Sequence, residues 1–255
     1  FSTIFELDYN TVLEKVNSDS SSITIAKKVE QDKIDALESW MKQNEVTTGI
    51  NIDSDTKRYY PYNNLASHLI GFCGDDNYGL DGLESKWDST LAGVAGKKIT
   101  TLNGARQEIP DEDQVYIEPQ DGNDIILTID ANIQSIVEKY LKQAVEENNC
   151  LRGGNAIIMD PNTGDILAMA TYPDYNLNDP FTINSPSLAE TWSELSSTDR
   201  NDALFKMWRN KAVSDGYEPG STFKLVTAAI ALEENLIEPD TSNDLVCNGY
   251  EQYYD

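Results

Sequence analysis

An α+β fold is predicted for this chain of 255 residues, and three observations predict it. Apolar residues recur at helical spacing in residues 28–44 and 133–145. Two strand-like runs, 156–160 and 165–171, are joined by Pro161-Asn162-Thr163-Gly164, a proline-early, glycine-late pattern that suits a tight hairpin. An apolar run, Leu225-Val226-Thr227-Ala228-Ala229-Ile230-Ala231-Leu232, closes the patterned part of the sequence.

In chain order, residues 23–27 are short and partly β-branched, which predicts a strand. Val29, Ile34, Leu37, Trp40 and Met41 give residues 28–44 one apolar face in a highly charged, solvated helix. Residues 59–62 and the glycine-rich stretch 71–82 predict irregular, turn-laden structure. The acidic, proline-containing stretch 110–119 and the turn Asp121-Gly122-Asn123 mark a boundary, giving domains 1–118 and 119–255. Beyond it, residues 124–128 predict a strand and Asp130 a helix N-cap. Ile133, Ile136, Val137, Tyr140, Leu141, Ala144 and Val145 then line one helix face. Residues 181–200, rich in Ser, Asn and Asp, predict a loop with one short helix. The run 225–232 is apolar nearly all round, which predicts a helix buried inside a domain.

Charge excludes some classes of function. Lys and Arg number 19 against 44 Asp and Glu, a net charge of −25. Such a surface repels phosphate backbones and anionic lipid, so nucleic acid is not an expected partner. No apolar stretch reaches the roughly 20 residues of a membrane span, and no basic-then-apolar leader opens the chain. Cys73, Cys150 and Cys247 are sparse, odd in number and without a Cys-x-x-Cys pair, so neither a disulfide framework nor a metal cluster is expected. His68 is the only histidine, and a packed or capping role is expected for it. No cofactor and no metal are expected.

The chemistry-bearing segment is Gly216-Tyr217-Glu218-Pro219-Gly220-Ser221-Thr222-Phe223-Lys224. A Pro-Gly turn delivers Ser221 to the start of a helix, and a spacing of three brings the Lys224 side chain onto the same face. A hydroxyl becomes a competent nucleophile when a neighbouring base takes its proton. Lysine can be that base only when neutral, which requires its pKa of about 10.4 to fall towards roughly 7–8. Ser39-Trp40-Met41-Lys42 and Ser54-Asp55-Thr56-Lys57 repeat the pattern by chance, the first in a solvated helix and the second in a polar loop. The competing reading of Ser221 and Lys224 is a capping serine and a snorkelling lysine on a core helix.

Arg209-Asn210-Lys211-Ala212-Val213, leading into Tyr217-Glu218-Pro219-Gly220-Ser221-Thr222-Phe223-Lys224, resembles the active-site segment of class B penicillin-binding proteins, the D,D-transpeptidases that cross-link peptidoglycan. Arg58-Tyr59-Tyr60-Pro61 with Ala66-Ser67-His68-Leu69-Ile70-Gly71, and Gly79-Leu80-Asp81-Gly82-Leu83-Glu84, resemble blocks of that family's non-catalytic region. Leu127-Thr128-Ile129-Asp130 with Gln134, and the segment from Met159-Asp160-Pro161 to Leu167-Ala168-Met169, resemble the opening of its catalytic domain. The resemblance runs from about residue 23 to about residue 235.

It implies an elongated α+β pedestal, or dimerisation-type, domain in residues 1–118. A truncated penicillin-binding transpeptidase domain of serine β-lactamase-like fold would follow in 119–255. It implies Ser221 as nucleophile and, through its backbone N–H, as oxyanion donor, with Lys224 as general base. The implied ligands are the D-Ala-D-Ala end of a peptidoglycan stem peptide and β-lactams. A membrane glycosyltransferase is the implied protein partner, and the extracytoplasmic face of the bacterial membrane the implied location, through an anchor preceding Phe1. The family's Ser-x-Asn and Lys-Thr-Gly motifs do not occur in these residues. The chain is therefore expected to be an internal piece, inactive alone. A non-catalytic scaffold module of a cell-wall synthesis complex is the alternative. A serine β-lactamase or β-lactam-sensing receptor shares Ser-x-x-Lys but leaves the blocks before residue 118 unexplained.

Overall fold

The computed structural model describes residues 1–18, 20, 23–99, 115–239 and 249. It divides into two units, Phe1–Ser214 and Asp215–Asp255. The first is an α+β unit, opened by helices α1 (Ser2–Phe5), α2 (Tyr9–Val16) and α3 (Gln31–Gln43). Asp8 caps α2 by accepting from Thr11 N at 2.8 Å, satisfying one of the orphan donors of the first turn. Lys33 on α3 reaches Glu6 at 2.8 Å. The strand expected at residues 23–27 is absent. The Ile25 carbonyl instead accepts from Lys15 Nζ at 3.2 Å, and the described part of this stretch finds no ladder partner.

Residues 58–91 form a compact knot with helices α4 (Ser67–Ile70), α5 (Gly82–Lys86) and α6 (Asp88–Leu91). Its polar centre is Glu84, which is buried and takes Arg58 Nε at 2.6 Å on one oxygen and the Cys73 thiol at 3.4 Å on the other. Burial, then the Glu84 charge, pushes the Cys73 thiol up to about 11. Gly71 and Gly82 bring two backbone segments into direct contact. A Cβ on Gly71, whose φ is +73°, would stand 1.9 Å from the Asp81 carbonyl oxygen. Only glycine fits that approach.

β1 (Lys97–Ile99) pairs antiparallel with β2 (Val115–Ile117). Half of the stretch 110–119 expected to mark the domain boundary, residues 110–114, lies outside the described residues. Helix α7 (Ala131–Glu147) begins at Asp130, whose carboxylate accepts from Asn132 N and Ile133 N at 2.8 and 3.0 Å. The hairpin of β3 (Gly154–Met159) and β4 (Ile166–Tyr172) runs antiparallel, Gly154 opposite Tyr172, with an irregularity between Ile158 and Met159. Helix α7 packs on it. Residues 124–128, expected as a strand, run beside β4 without joining its ladder: Asp130 N donates to Leu167 O and Thr128 Oγ1 to Ile166 O. Two further helices follow, α8 (Pro186–Thr191) and α9 (Ser197–Trp208), then the short α10 (Lys211–Ser214). Residues 181–200 thus hold one short helix and the first turn of another.

The main core of this unit is shared by distant stretches of sequence. Tyr60 and Phe72 pack with Tyr175, Leu177, Leu204 and Met207. Phe72 is fully buried and stands edge-on to Trp208, Phe181 and Tyr175 at 4.8, 5.6 and 6.2 Å. These T-shaped contacts align ring edges with ring faces, which adds to the apolar burial.

The second unit contains a 3₁₀ helix, Gly220–Phe223, running directly into α11 (Lys224–Glu233).

Candidate active site

Pro219 and Gly220 set the start of the Ser221 segment. Gly220 has φ +53° and nothing within 4 Å of an added Cβ, so its conformation rather than crowding favours glycine. Thr222 N donates to Pro219 O at 3.2 Å, and the Thr222 hydroxyl bonds to the same carbonyl. Lys224 N donates to both Ser221 O and Thr222 O. In a 3₁₀ turn residues three apart eclipse one another. Ser221 and Lys224 therefore project from one face, Lys224 at the first position of α11. Among the described residues no hydrogen bond joins Ser221 Oγ to Lys224 Nζ.

The expectation that α11 is a buried helix is corrected. None of its residues is buried, and Leu225 is 77% exposed. Apolar composition supplies a drive towards burial but not the surface that accepts it, and within this unit no described residue covers the helix. Ser221 and Lys224 are likewise exposed. A groove of about 480 Å³ lies in the first unit, lined by His68, Asp81, Phe205, Trp208 and Val213 among others, and includes neither residue.

The segment that leads into residues 215–221 is held firmly within the first unit. Met207 O accepts from His68 Nε2 at 3.0 Å, and Asn210 Nδ2 donates to His68 O at 3.2 Å. Lys211 Nζ donates to Arg152 O at 2.9 Å, and Arg209 Nη2 to Ser214 O at 2.5 Å. Burial is the main cause that lowers the His68 pKa to about 4, so the ring is neutral at neutral pH. The sequence predicts a packed or capping role for His68 but not its partners. The clue was its place in the Ala66-to-Gly71 block, which says nothing of a contact 139 residues away.

Helix α7 joins the same assembly. Gln134, fully buried, accepts from Met169 N at 2.8 Å and donates to Met169 O and Glu138 at 2.9 and 2.7 Å. Glu138 in turn accepts from Ala66 N at 2.7 Å, at the start of α4. Burial raises the Glu138 pKa, opposed by these two hydrogen bonds.

Comparison with known proteins supplies the context of this arrangement. The penicillin-binding protein dimerisation domain family matches residues 1–127, and the penicillin binding protein transpeptidase domain family matches residues 154–255. Stage V sporulation protein D of Bacillus subtilis is 36% identical over 189 residues, covering 74% of this chain and 26% of that protein. Peptidoglycan D,D-transpeptidase FtsI of Escherichia coli is 29% identical over 248 residues, covering 96% of this chain and 37% of that protein. Among solved structures, a complex between penicillin-binding protein PBP2 and MreC from Helicobacter pylori aligns with a TM-score of 0.63 at 26% identity. That match covers 94% of this chain and 45% of the other. The chain thus spans less than half the length of each of these three proteins. Two consecutive family matches and relatives of one kind along most of its length show that this chain belongs to the class B penicillin-binding proteins, as their N-terminal region and the first part of their transpeptidase domain.

Proposed function

We propose that the chain is part of a serine-type peptidoglycan D,D-transpeptidase in which Ser221 is the nucleophile and Lys224 the general base. The observation that carries this reading is the 3₁₀ turn Gly220–Phe223 running directly into α11, a backbone in which the three-residue spacing puts Ser221 and Lys224 on one face. Lys224, deprotonated, takes the Ser221 proton as Oγ attacks the carbonyl between the two D-alanines of a stem peptide. Collapse of the tetrahedral intermediate expels the terminal D-alanine, whose amine takes up a proton. An amine of a neighbouring stem peptide then attacks the acyl-enzyme, forms the cross-link and returns Ser221. A β-lactam acylates the same hydroxyl. The Ser221 backbone N–H gives one oxyanion donor, and a second comes from the Lys-Thr-Gly strand of the family, which is not among residues 1–255. Loss of one such donor typically costs about 10²–10³ in rate.

On this reading the site acts at the extracytoplasmic face of the bacterial membrane. The dimerisation-type region and the pedestal expectation for residues 1–118 supply a docking surface for a membrane glycosyltransferase; that the Helicobacter pylori relative was solved in complex with MreC supports a partner-binding role for this class of chain. Residues 119–255 open the catalytic domain. The exposed state of Ser221, Lys224 and α11 favours a second reading for residues 1–255 taken alone, a non-catalytic scaffold module.

Fluorescent penicillin distinguishes the two. The full-length protein is expected to label stoichiometrically and its Ser221→Ala variant not at all, while residues 1–255 alone do not label. Equal labelling of the Ser221→Ala variant would sink the assignment of the nucleophile.

A further inference from the structure

The groove of about 480 Å³ belongs wholly to the first unit, its lining drawn from residues 68–83 and 205–214. Its apolar walls include Leu80, Phe205, Trp208 and Val213. Phe205 is 65% exposed and Val213 69%, so large apolar side chains face solvent along an open trough. The Phe205 and Trp208 rings stand edge to face, centroids 5.6 Å apart and planes at 89°. Trp208 is anchored by its Nε1–H, which donates to Pro180 O at 2.7 Å. Aromatic faces held in this way attract a cation.

Asp81 brings a carboxylate to the same lining. It stands at the N-cap of α5 but makes no cap hydrogen bond, unlike Asp8 and Asp130, which cap α2 and α7. Among the described residues no lysine or arginine pairs with it. Arg209, also on the lining, donates to Ser214 O. Burial raises the Asp81 pKa, opposed by the Gly82 N–H. The Asp81 charge is in turn the second cause, after burial, that raises the pKa of the Tyr175 phenol. A half-buried carboxylate without a counter-charge is costly, and a cation brought to it from outside offsets that cost.

We propose that this groove docks an extended segment of a partner protein that presents an arginine between apolar residues, the guanidinium held by Asp81 and the aromatic pair. Arginine is the cation whose planar fork matches a carboxylate and whose face stacks on aromatic rings. The net charge of −25 favours the approach of a cationic segment. The proposal goes beyond the reading of Ser221 and does not depend on it. The groove draws on both family regions, residues 68–83 in the dimerisation match and 205–214 in the transpeptidase match.

The test is fluorescence anisotropy with a dye-labelled peptide of leucines around one central arginine, titrated with the full-length protein. Its twin carries citrulline, uncharged and of the same shape, in place of arginine. The arginine peptide is expected to bind about tenfold more tightly and to keep most of that advantage at about 0.5 M salt. Asp81→Asn is expected to remove the preference and leave the citrulline peptide unchanged, whereas Phe205→Ala weakens both peptides about three- to tenfold. Should Asp81→Asn not fold, Phe205→Ala and Val213→Ser, both at largely exposed positions, carry the test. Equal binding of the two peptides overturns the inference, as does a preference that survives Asp81→Asn. A preference lost equally in Asp75→Asn, an exposed acid outside the groove, means undirected attraction to an acidic surface and overturns it too. Binding to residues 1–255 but not to the full-length protein overturns it in favour of a later segment of the protein's own chain as occupant. Penicillin labelling of Ser221 is read separately, so either result can fail without the other.

Discussion

Helices α7 and α11 differ in the direction opposite to their compositions. Helix α7 carries two lysines, three glutamates and several amides, yet its Gln134 is fully buried and Val145 nearly so. Helix α11 carries one lysine, one glutamate and otherwise mostly apolar residues, yet buries none of them. The difference is partners. Gln134 is buried because the Met169 amide and carbonyl and the Glu138 carboxylate satisfy it from three sides. Nothing described in the second unit offers α11 the matching surface. Hydrophobic pattern ranks which residues would gain from burial, and tertiary contact decides which of them receive it.

Four measurements by equilibrium denaturation sharpen that contrast. Phe72→Ala should be the most damaging, at about 4 kcal/mol, because a fully buried ring touching three other aromatic rings leaves a cavity the knot cannot fill. A loss under about 1 kcal/mol would mean this core is not a cooperative part of the unit. Acid comes next. The fold lowers the His68 pKa from 6.5 to about 4, so it favours the neutral ring. That contribution is full above pH 6.5 and is lost as pH falls towards 4, up to about 3 kcal/mol in all. The Lys211 ammonium adds to the cost of a charged ring. Glu138, whose pKa is raised, works with the opposite sign: its contribution is present below 4.5 and is lost as pH rises through its folded value. The quantity to read is therefore the difference between the wild type and His68→Leu, which should shrink across this window.

Gln134→Leu should cost about 2–3 kcal/mol despite the gain in apolar character, since it strands the Met169 amide and carbonyl and the Glu138 carboxylate. A neutral result would contradict the account of why α7 buries a polar residue. Smallest of the four is Leu225→Ser on α11, expected within about 0.5 kcal/mol of wild type in residues 1–255. A loss of about 2 kcal/mol would show that the helix is covered after all.

Local patterns were legible in the sequence where they were self-contained. Asp130 followed by a clean apolar face specifies α7, and Pro161 with Gly164 closes the β3–β4 hairpin, because caps and turns satisfy backbone groups within a few residues. The spacing of Ser221 and Lys224 is likewise local. What stayed hidden depended on distant partners. Residues 23–27 have strand composition but, among the described residues, no neighbouring strand. Nothing in the periodicity of Tyr60 or Phe72 announces that they meet Leu204 and Met207. His68 illustrates the limit best: its type and burial were readable, whereas the carbonyl it holds was not.

The Glu84 site has a practical consequence for labelling. A thiol held protonated beside a buried carboxylate offers little thiolate to an alkylating reagent at neutral pH, so Cys73 should react sluggishly. Cys150 is exposed, just past the end of α7 and two residues from the Arg152 carbonyl that receives Lys211. A maleimide fluorophore placed there, in a background lacking Cys247, would sit beside the Arg152–Lys211 contact and report in real time whenever the approach to Ser221 loosens.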